Sequence, residues 1–360
     1  MTRTTRRPLR ALALLALALA ALVLAACGSD DDGGSETAAA SDAPAATTDG
    51  GAAAGQPDLS GVKLRVGTQK DGIRAVLQKS GQLDDLPYEI EWSTFVAGPP
   101  LVEAAGADRI DVAWVGCAPP IFGAAAGADF RVIAAVKERD SQENRILVPS
   151  GSDIAAIADL RGKKIAVPRG TSGHAFVLNA LKSEGLGPDD VEFAYLAPPD
   201  ALAAFQSGSV DAISIWDPFA TQALETLDAR EIVAGEPYER GLGFEIASSK
   251  ALEDPAKVAA IQDYLRRLNA AWQWAGDNPD AWAEAWTADA GLPIEVTSVA
   301  VLRKASDIVP LDQEILDAQQ RLADLFTEVG ELPRPVTFTD IVDESVYDAS
   351  AASGTATTEG

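Results

Sequence analysis

Two distant stretches of this chain carry the same punctuation. Leu101 to Ile121 reads as a helical run, a glycine, Ile110-Asp111, the apolar strand Val112-Ala113-Trp114-Val115, a small loop and a helix opened by Pro119-Pro120. Ala201 to Phe219 repeats the order: helix, Gly208, Val210-Asp211, the strand Ala212-Ile213-Ser214-Ile215, then Trp216-Asp217 and a helix opened by Pro218. Proline suits the first turn of a helix because its missing N–H has no partner there anyway. A strand feeding a helix, repeated, predicts an α/β protein. A related unit in each half predicts two similar lobes that face each other.

Two further junctions fit this plan. Leu64-Arg65-Val66-Gly67 runs into Thr68-Gln69-Lys70-Asp71 and a helix near Ile73. Lys164-Ile165-Ala166-Val167 runs into Pro168-Arg169-Gly170-Thr171-Ser172-Gly173-His174 and an apolar helical pattern. Ligands of open α/β sheets sit beyond the carboxyl ends of strands, so four such ends, two per lobe, predict one shared cleft. The unpaired N–H groups that open a helix are an anion site in waiting. In that reading Thr171 and Ser172 donate hydroxyls, Gly173 lets a ligand approach the backbone, and His174 offers a ring N–H.

Two extended runs, Arg145 to Pro149 and Gly243 to Ser248, are the expected crossings between lobes and act as hinge strands. Lobe 1 then spans 59–149 and 245–347, and lobe 2 spans 150–244. The second part of lobe 1 is helical in pattern, and Trp282 and Trp286, four residues apart on one helical face, are expected in its core.

Before the fold, Met1 to Arg10 carries four arginines and Ala11 to Ala26 is an unbroken Ala/Leu/Val run. A basic start, a short apolar stretch and small residues ahead of a cut define an export signal, 1–26. Leu24-Ala25-Ala26-Cys27 resembles the lipobox of bacterial lipoproteins, which implies cleavage before Cys27 and a lipid on its sulfur. Residues 27–58 are Gly, Ala, Ser, Thr and acid, a flexible tether; 348–360 form a similar disordered tail. Lipidation leaves Cys117 as the other cysteine, so no disulfide closes within the chain.

The formal net charge is −25, and loss of the four leader arginines takes it to −29. That excludes nucleic acid and electrostatic docking on anionic lipid. A small anion can still be held by local dipoles, because salt screens the long-range field beyond about 8–10 Å. The chain has one histidine, no HExxH, no clustered Cys/His set and no GxSxG. Thr171-Ser172-Gly173 also lacks the lysine of a nucleotide-binding loop. No metal, no cofactor and no catalysis are expected.

Phe95-Val96-Ala97-Gly98-Pro99 with Leu101-Val102-Glu103-Ala104 resembles a segment of aliphatic sulfonate-binding proteins. So do Gly116 with Ala118-Pro119-Pro120, Ala124 to Asp129, Asp159 to Ala166, Gly170 to His174, Gly208 to Ala212 and Ile215 to Pro218. Together they mark a resemblance to the sulfonate, taurine and nitrate group of solute-binding proteins of ABC importers. It implies a two-lobed periplasmic-binding-protein fold of type II, a monomer tethered to the membrane, and handover of ligand to a permease with its ATPase. Carried over by position, Gln69, Gly98, Ala118, Thr171, Ser172, Gly173 and His174 form the anion-head pocket. Trp216 and Asp217 wall the organic tail, and Phe244 and Glu245 face the cleft. Cys117 stands where relatives often carry an acid; it either contacts ligand or is a small buried residue. Glu245 and Asp217 are each candidates to pair with a ligand cation. Nitrate, bicarbonate or a thiamine-precursor pyrimidine are the alternative ligands. A pyrimidine-forming enzyme on the same fold and a surface sensor are the alternatives from other classes.

Overall fold

The structure is a computed structural model and describes residues 57–347. The leader, Cys27, the tether up to residue 56 and the tail lie outside the described residues.

The chain begins with β1 (Lys63–Thr68), α1 (Ile73–Lys79), β2 (Glu89–Thr94), α2 (Gly98–Gly106), β3 (Val112–Gly116), α3 (Pro119–Ala126) and β4 (Phe130–Glu138). There follow β5 (Asn144–Pro149), β6 (Lys164–Val167), α4 (Ser172–Ser183), β7 (Glu192–Tyr195), α5 (Pro198–Gln206), β8 (Ala212–Trp216), α6 (Phe219–Thr226) and β9 (Ala229–Ala234). The last part holds β10 (Leu242–Ser248), α7 (Ser249–Leu252), α8 (Pro255–Asp277), α9 (Pro279–Ala290), α10 (Ile294–Lys304), β11 (Ser306–Val309) and α11 (Gln313–Glu328).

These make two sheets, ordered β11-β4-β10-β3-β1-β2 and β7-β6-β8-β5-β9. Side chains alternate across each strand, and the alternation splits every strand between two apolar layers. Val112 and Trp114 enter one layer of the first sheet, whereas Ala113 and Val115 enter the other. In the second sheet Ile165 and Val167 face one layer and Ala166 the other. Both sheets are therefore covered on both faces, which explains their near-continuous apolar strands.

The repeated unit is real in three dimensions: α2-β3-α3 in one lobe and α5-β8-α6 in the other. Its aspartates play one part twice. The Arg65 N–H donates to Asp111 Oδ2 at 2.8 Å and the Asp111 N–H donates back to the Arg65 carbonyl at 2.7 Å. The Lys164 N–H donates to Asp211 Oδ2 at 2.7 Å and the Asp211 N–H returns to the Lys164 carbonyl at 2.8 Å. Each carboxylate thus fastens the start of a strand to its parallel neighbour.

The crossings differ from the sequence expectation in position. β4 ends at Glu138 in the first sheet and β5 begins at Asn144 in the second; β9 ends at Ala234 and β10 begins at Leu242. The chain therefore changes lobe in segments 139–143 and 235–241. The runs read as crossings are the strands entered just afterwards, so lobe 2 starts near residue 144 rather than 150. The strand β11 is a second difference. Four residues in a helical region pair antiparallel with β4, too short a run to show period two.

Trp282 and Trp286 are fully buried, stacked with ring centroids 5.7 Å apart. Their indole N–H groups donate to the carbonyls of Gly72 and Lys70, both at 3.2 Å. They pin the β1–α1 loop, where Gly72 takes a φ of 77° under the Trp286 ring.

Candidate functional site

The lobes meet closely at the ends of β3 and β6. A β carbon on Gly116 would stand 3.2 Å from Ser172 Cβ, and one on Gly170 would stand 3.0 Å from the Phe122 ring. Arg303 of α10 donates to Asp217 at 3.0 Å, and Arg169 reaches Glu331 at 2.9 Å. Beside these contacts lies a cavity of about 580 Å³ lined from both lobes. Gly116, Cys117 and Ser172 mark its junction end; Trp114, Glu138 and Gln319 come from lobe 1, and Asn179 and Tyr238 from lobe 2.

Two of the sequence-predicted residues, Cys117 and Ser172, line this cavity. Ser172 opens α4, where first-turn N–H groups have no intrahelical acceptor, and its side chain is half-buried. Ala118 is fully buried at the N-cap of α3. Gln69 lies in the β1–α1 loop, where Asp71 accepts from its N–H at 3.2 Å.

The remaining predicted residues are placed elsewhere, for physical reasons. The Thr171 hydroxyl donates to the Pro168 carbonyl at 2.6 Å, so it shapes the loop. Gly173 makes room for packing: a β carbon there would meet the Ser214 carbonyl at 3.0 Å, and Ser214 Oγ donates to the Gly173 carbonyl at 2.7 Å. Gly98 likewise makes room for Pro119 at 2.5 Å. His174 is caged by Phe122, Phe193, Tyr195 and Phe326, with centroids 5.3–6.1 Å away. Its Nδ1 accepts from the Gly170 N–H at 3.3 Å. Burial pushes its pKa down to about 4, so the imidazole is neutral. Trp216 packs edge-on against Phe219 in the core. Asp217 caps α6, accepting from the Thr221 N–H and hydroxyl at 2.9 and 2.7 Å. Phe244 is a fully buried core residue. Glu245 is fully buried and neither of its oxygens has a partner among the described residues; burial and the Asp71 carboxylate push it up to about 8. Asp217 with Arg303 already has its cation, which removes it as a ligand partner.

Sequence reasoning missed the polar wall of the cavity: Glu138, Glu143, Asn144, Glu239 and Gln319. One signal was available. Gln319 interrupts the buried stripe Ile315, Leu316, Ala323, Phe326 of α11, and a polar residue inside an apolar stripe points to a partner or a cavity. The glutamates lie at strand ends and in the crossings, where no pattern separates them from surface acid. The Cys117 thiol is held above its ordinary range by burial, then by Glu239, Glu138 and Glu143, which places it in the field of that wall.

Two α/β lobes joined by two crossings, closed over a cavity that both of them line, define a solute-binding protein of the hinged type. The family model for the periplasmic phosphonate substrate-binding protein of ABC transporters matches residues 85–287. An aliphatic sulfonates-binding protein of Escherichia coli is 37% identical over 277 residues, covering 76% of this chain and 86% of that one. The crystal structure of the aliphatic sulphonate-binding protein of E. coli is similar at a TM-score of 0.70 and 34% identity, over 80% of this chain and 92% of that one. The alkanesulfonate-binding protein of Xanthomonas axonopodis pv. citri bound to MOPS is similar at a TM-score of 0.72 and 32% identity, over 81% and 100%. The chain belongs to the family of periplasmic substrate-binding proteins of ABC transporters, among its aliphatic sulfonate-binding members.

Proposed function

We propose that this protein captures a small organosulfonate between its lobes and delivers it to an ABC permease and its ATPase. The observation that carries this reading is the interlobe cavity with Ser172, at the start of α4, and Gly116-Cys117, at the end of β3, on one wall. A helix start contributes roughly 0.3–1 kcal/mol to a bound negative charge, up to about 2 when partly buried. Ser172 adds its hydroxyl, and Ala118 begins α3 beside it. A monoanionic sulfonate suits this donor set of hydroxyl and N–H groups, which holds a single negative charge through local dipoles.

In this reading the protein acts as a monomer without catalysis, since a single chain encloses the cavity and its one histidine is neutral and caged. Export through the leader and a lipid on Cys27 would hold it at the outer face of the cytoplasmic membrane. The contacts across the lobe boundary supply the closed state, and the crossings 139–143 and 235–241 supply the hinge.

The test is calorimetric titration with alkanesulfonates, an aromatic sulfonate, taurine, methylphosphonate, sulfate, nitrate and an aminopyrimidine. Saturable sulfonate binding is expected. Ser172→Ala removes the hydroxyl alone; Ser172→Pro also removes the N–H at a position where proline suits the helix. Stepwise loss from wild type to Ala to Pro supports the assignment. Binding of nitrate or the pyrimidine without any sulfonate would keep the importer role and discard the substrate class.

A further inference from the structure

The lobes form a second hollow between them, and its chemistry is opposite to that of the first. A groove of about 360 Å³ lies between α5 and α6 of lobe 2 and the β1–α1 loop and α9–α10 turn of lobe 1. It shares no lining residue with the cavity at the start of α4. Leu202, Phe219, Leu227 and Leu292 make much of it apolar. Leu202, Phe219 and Leu292 are themselves buried, so packing holds these walls in place.

The charge of this groove runs against that of the chain. The sequence has 54 acidic residues against 29 lysines and arginines, and three glutamates line the first cavity. No Asp or Glu lines the groove, whereas Lys70 does. The Lys70 ammonium has no partner among the described residues, while its carbonyl is pinned by the Trp286 indole at 3.2 Å. The acids nearest in sequence do not serve it. Asp71 is buried and accepts from the Thr68 hydroxyl and from the N–H groups of Gln69 and Ile73. Asp289 pairs with Arg74. Asp200, Asp228 and Glu295 stand near lining residues in sequence without lining the groove. Two amides complete the polar set, Gln206 on α5 and Gln222 on α6. Neither side chain bonds to another described residue, so both have N–H groups to offer.

We propose that this groove is a second ligand site, for a small apolar molecule that carries one negative charge, such as a medium-chain carboxylate. Ligand sites are mostly apolar hollows of a few hundred Å³ in which a few polar groups fix orientation, and this one has that make-up. A lysine in open water contributes little to a charge pair. An occupant whose apolar body covers Leu202, Phe219 and Leu292 excludes water beside Lys70, and the charge-assisted bond then counts for more. The inference stands apart from the sulfonate reading, because nothing in it depends on what fills the first cavity.

Walls from two lobes give the site a consequence. Leu202 and Phe219 belong to lobe 2, and Lys70 and Leu292 to lobe 1. Helix α10 spans the same boundary: its N-cap Pro293 lines the groove, and Arg303 near its other end holds Asp217. An occupant touching both walls is held in full only while the lobes are together, as is the ligand of the first cavity. Each ligand therefore favours the closed state and raises the affinity of the other by the same factor.

The experiment is calorimetric titration of the purified protein with octanoate, octanamide, octylamine and dodecanoate, with and without saturating ethanesulfonate. Saturable one-site binding of octanoate is expected, about tenfold or more tighter than octanamide, and no binding of octylamine. Dodecanoate should bind no tighter than octanoate, because the groove is bounded; a further gain with length would point to lipid and overturn a small-molecule site. Lys70→Gln should bring octanoate down to the affinity of octanamide. Gln206→Glu, which puts a carboxylate into the lining, should weaken octanoate as well. Both side chains are exposed, and both variants should bind ethanesulfonate as wild type does. Saturating ethanesulfonate should tighten octanoate about fivefold or more; identical affinities would overturn the coupling through closure. Octanoate binding no tighter than octanamide, or unaltered in Lys70→Gln, would overturn the site. Displacement of octanoate by ethanesulfonate would place both in the first cavity and overturn it too. Failure of ethanesulfonate to bind would count against the sulfonate reading, while octanoate and its variants still decide the groove. The comparison of octanoate with octanamide needs only wild-type protein, so a variant that fails to fold does not block the test.

Discussion

Gly116 and Ser172 meet tightly across the lobe boundary: a β carbon on Gly116 would come within 3.2 Å of Ser172 Cβ and 3.3 Å of its Oγ. Gly116 ends β3 and Ser172 starts α4, so a branched side chain at 116 would press against the start of α4. Gly116→Val should hold the lobes apart. Ligand affinity is expected to fall about tenfold or more, roughly 1.4 kcal/mol, with thermal stability nearly unchanged. Small-angle scattering should then show no contraction on adding ligand. Full contraction with unchanged affinity would contradict the contact's role.

The paired aspartates make a graded prediction. Asp111 is fully buried and holds Arg65 at 2.6 Å and Lys257 at 2.7 Å, whereas Asp211 is exposed. Asp111→Ala removes a carboxylate that fastens two strands and leaves two cations without their partner. It should cost about 2–4 kcal/mol. Asp211→Ala breaks the same backbone link in water and should cost less than about 1 kcal/mol. Urea unfolding of both variants checks the ratio; equal losses would mean that burial does not decide it.

That pair also shows what the sequence can carry. Helix, Gly and Asp ahead of an apolar strand is a local pattern, and both copies fold as read because each is completed within its own strand pair. The start of α4 was legible for the same reason. The roles of Thr171, Gly173 and His174 were not, since they are settled by Pro168, Ser214 and the aromatic cage, contributed partly by distant segments. Glu138, Glu143 and Glu239 were invisible for a different reason. At strand ends and in crossings an acid reads as surface, and its burial arises only when two lobes close over it.

Glu245 sets a pH dependence. Its folded pKa is raised to about 8, against roughly 4.3 for a free glutamate. The folded state then binds more protons than the unfolded state between those values. Its contribution to stability is therefore fully present below about pH 4.3 and is lost as pH rises through about 8. Glu239, also raised to about 8, acts in the same direction. Thermal unfolding of the ligand-free protein should show a falling Tm from pH 5 to pH 8. Glu245→Gln should flatten that slope and raise the Tm at pH 8. A slope that Glu245→Gln leaves unaltered would remove Glu245 as its source.

His174 makes the opposite prediction for solution spectroscopy. It is the chain's one histidine, buried and depressed to about 4. Its ring proton signals should stay constant from pH 5.5 to 8. A depressed histidine stabilises the fold at high pH, and that contribution fades as pH falls below about 6.5. Titration of the ring near pH 6.5 would mean that the cage is open in solution.

Arg303 and Asp217 join the lobes in a way that the exposed ion pairs do not. Arg303 Nη1 donates to Asp217 Oδ2 at 3.0 Å and to Thr221 Oγ1 at 2.9 Å, while Asp217 Oδ1 caps α6. Asp217 is almost fully buried and Arg303 largely so, so the pair forms only when α10 of lobe 1 lies against α6 of lobe 2. Lys182 and Glu328 also bridge the lobes, but both are more than half exposed, and such pairs contribute about 0–1 kcal/mol. Arg303→Ala should destabilise the closed state while leaving each lobe intact. Apparent affinity falls with the fraction of molecules able to close, so a loss of roughly threefold to tenfold is expected, expressed as faster ligand release with little change in the association rate. Asp217→Asn keeps an oxygen for the α6 cap and removes the charge, and should give the same kinetic signature. Lys182→Ala should give nearly wild-type release. Stopped-flow displacement compares the three; equal release from Arg303→Ala and Lys182→Ala would show that the buried pair carries no more of the closed state than the exposed one.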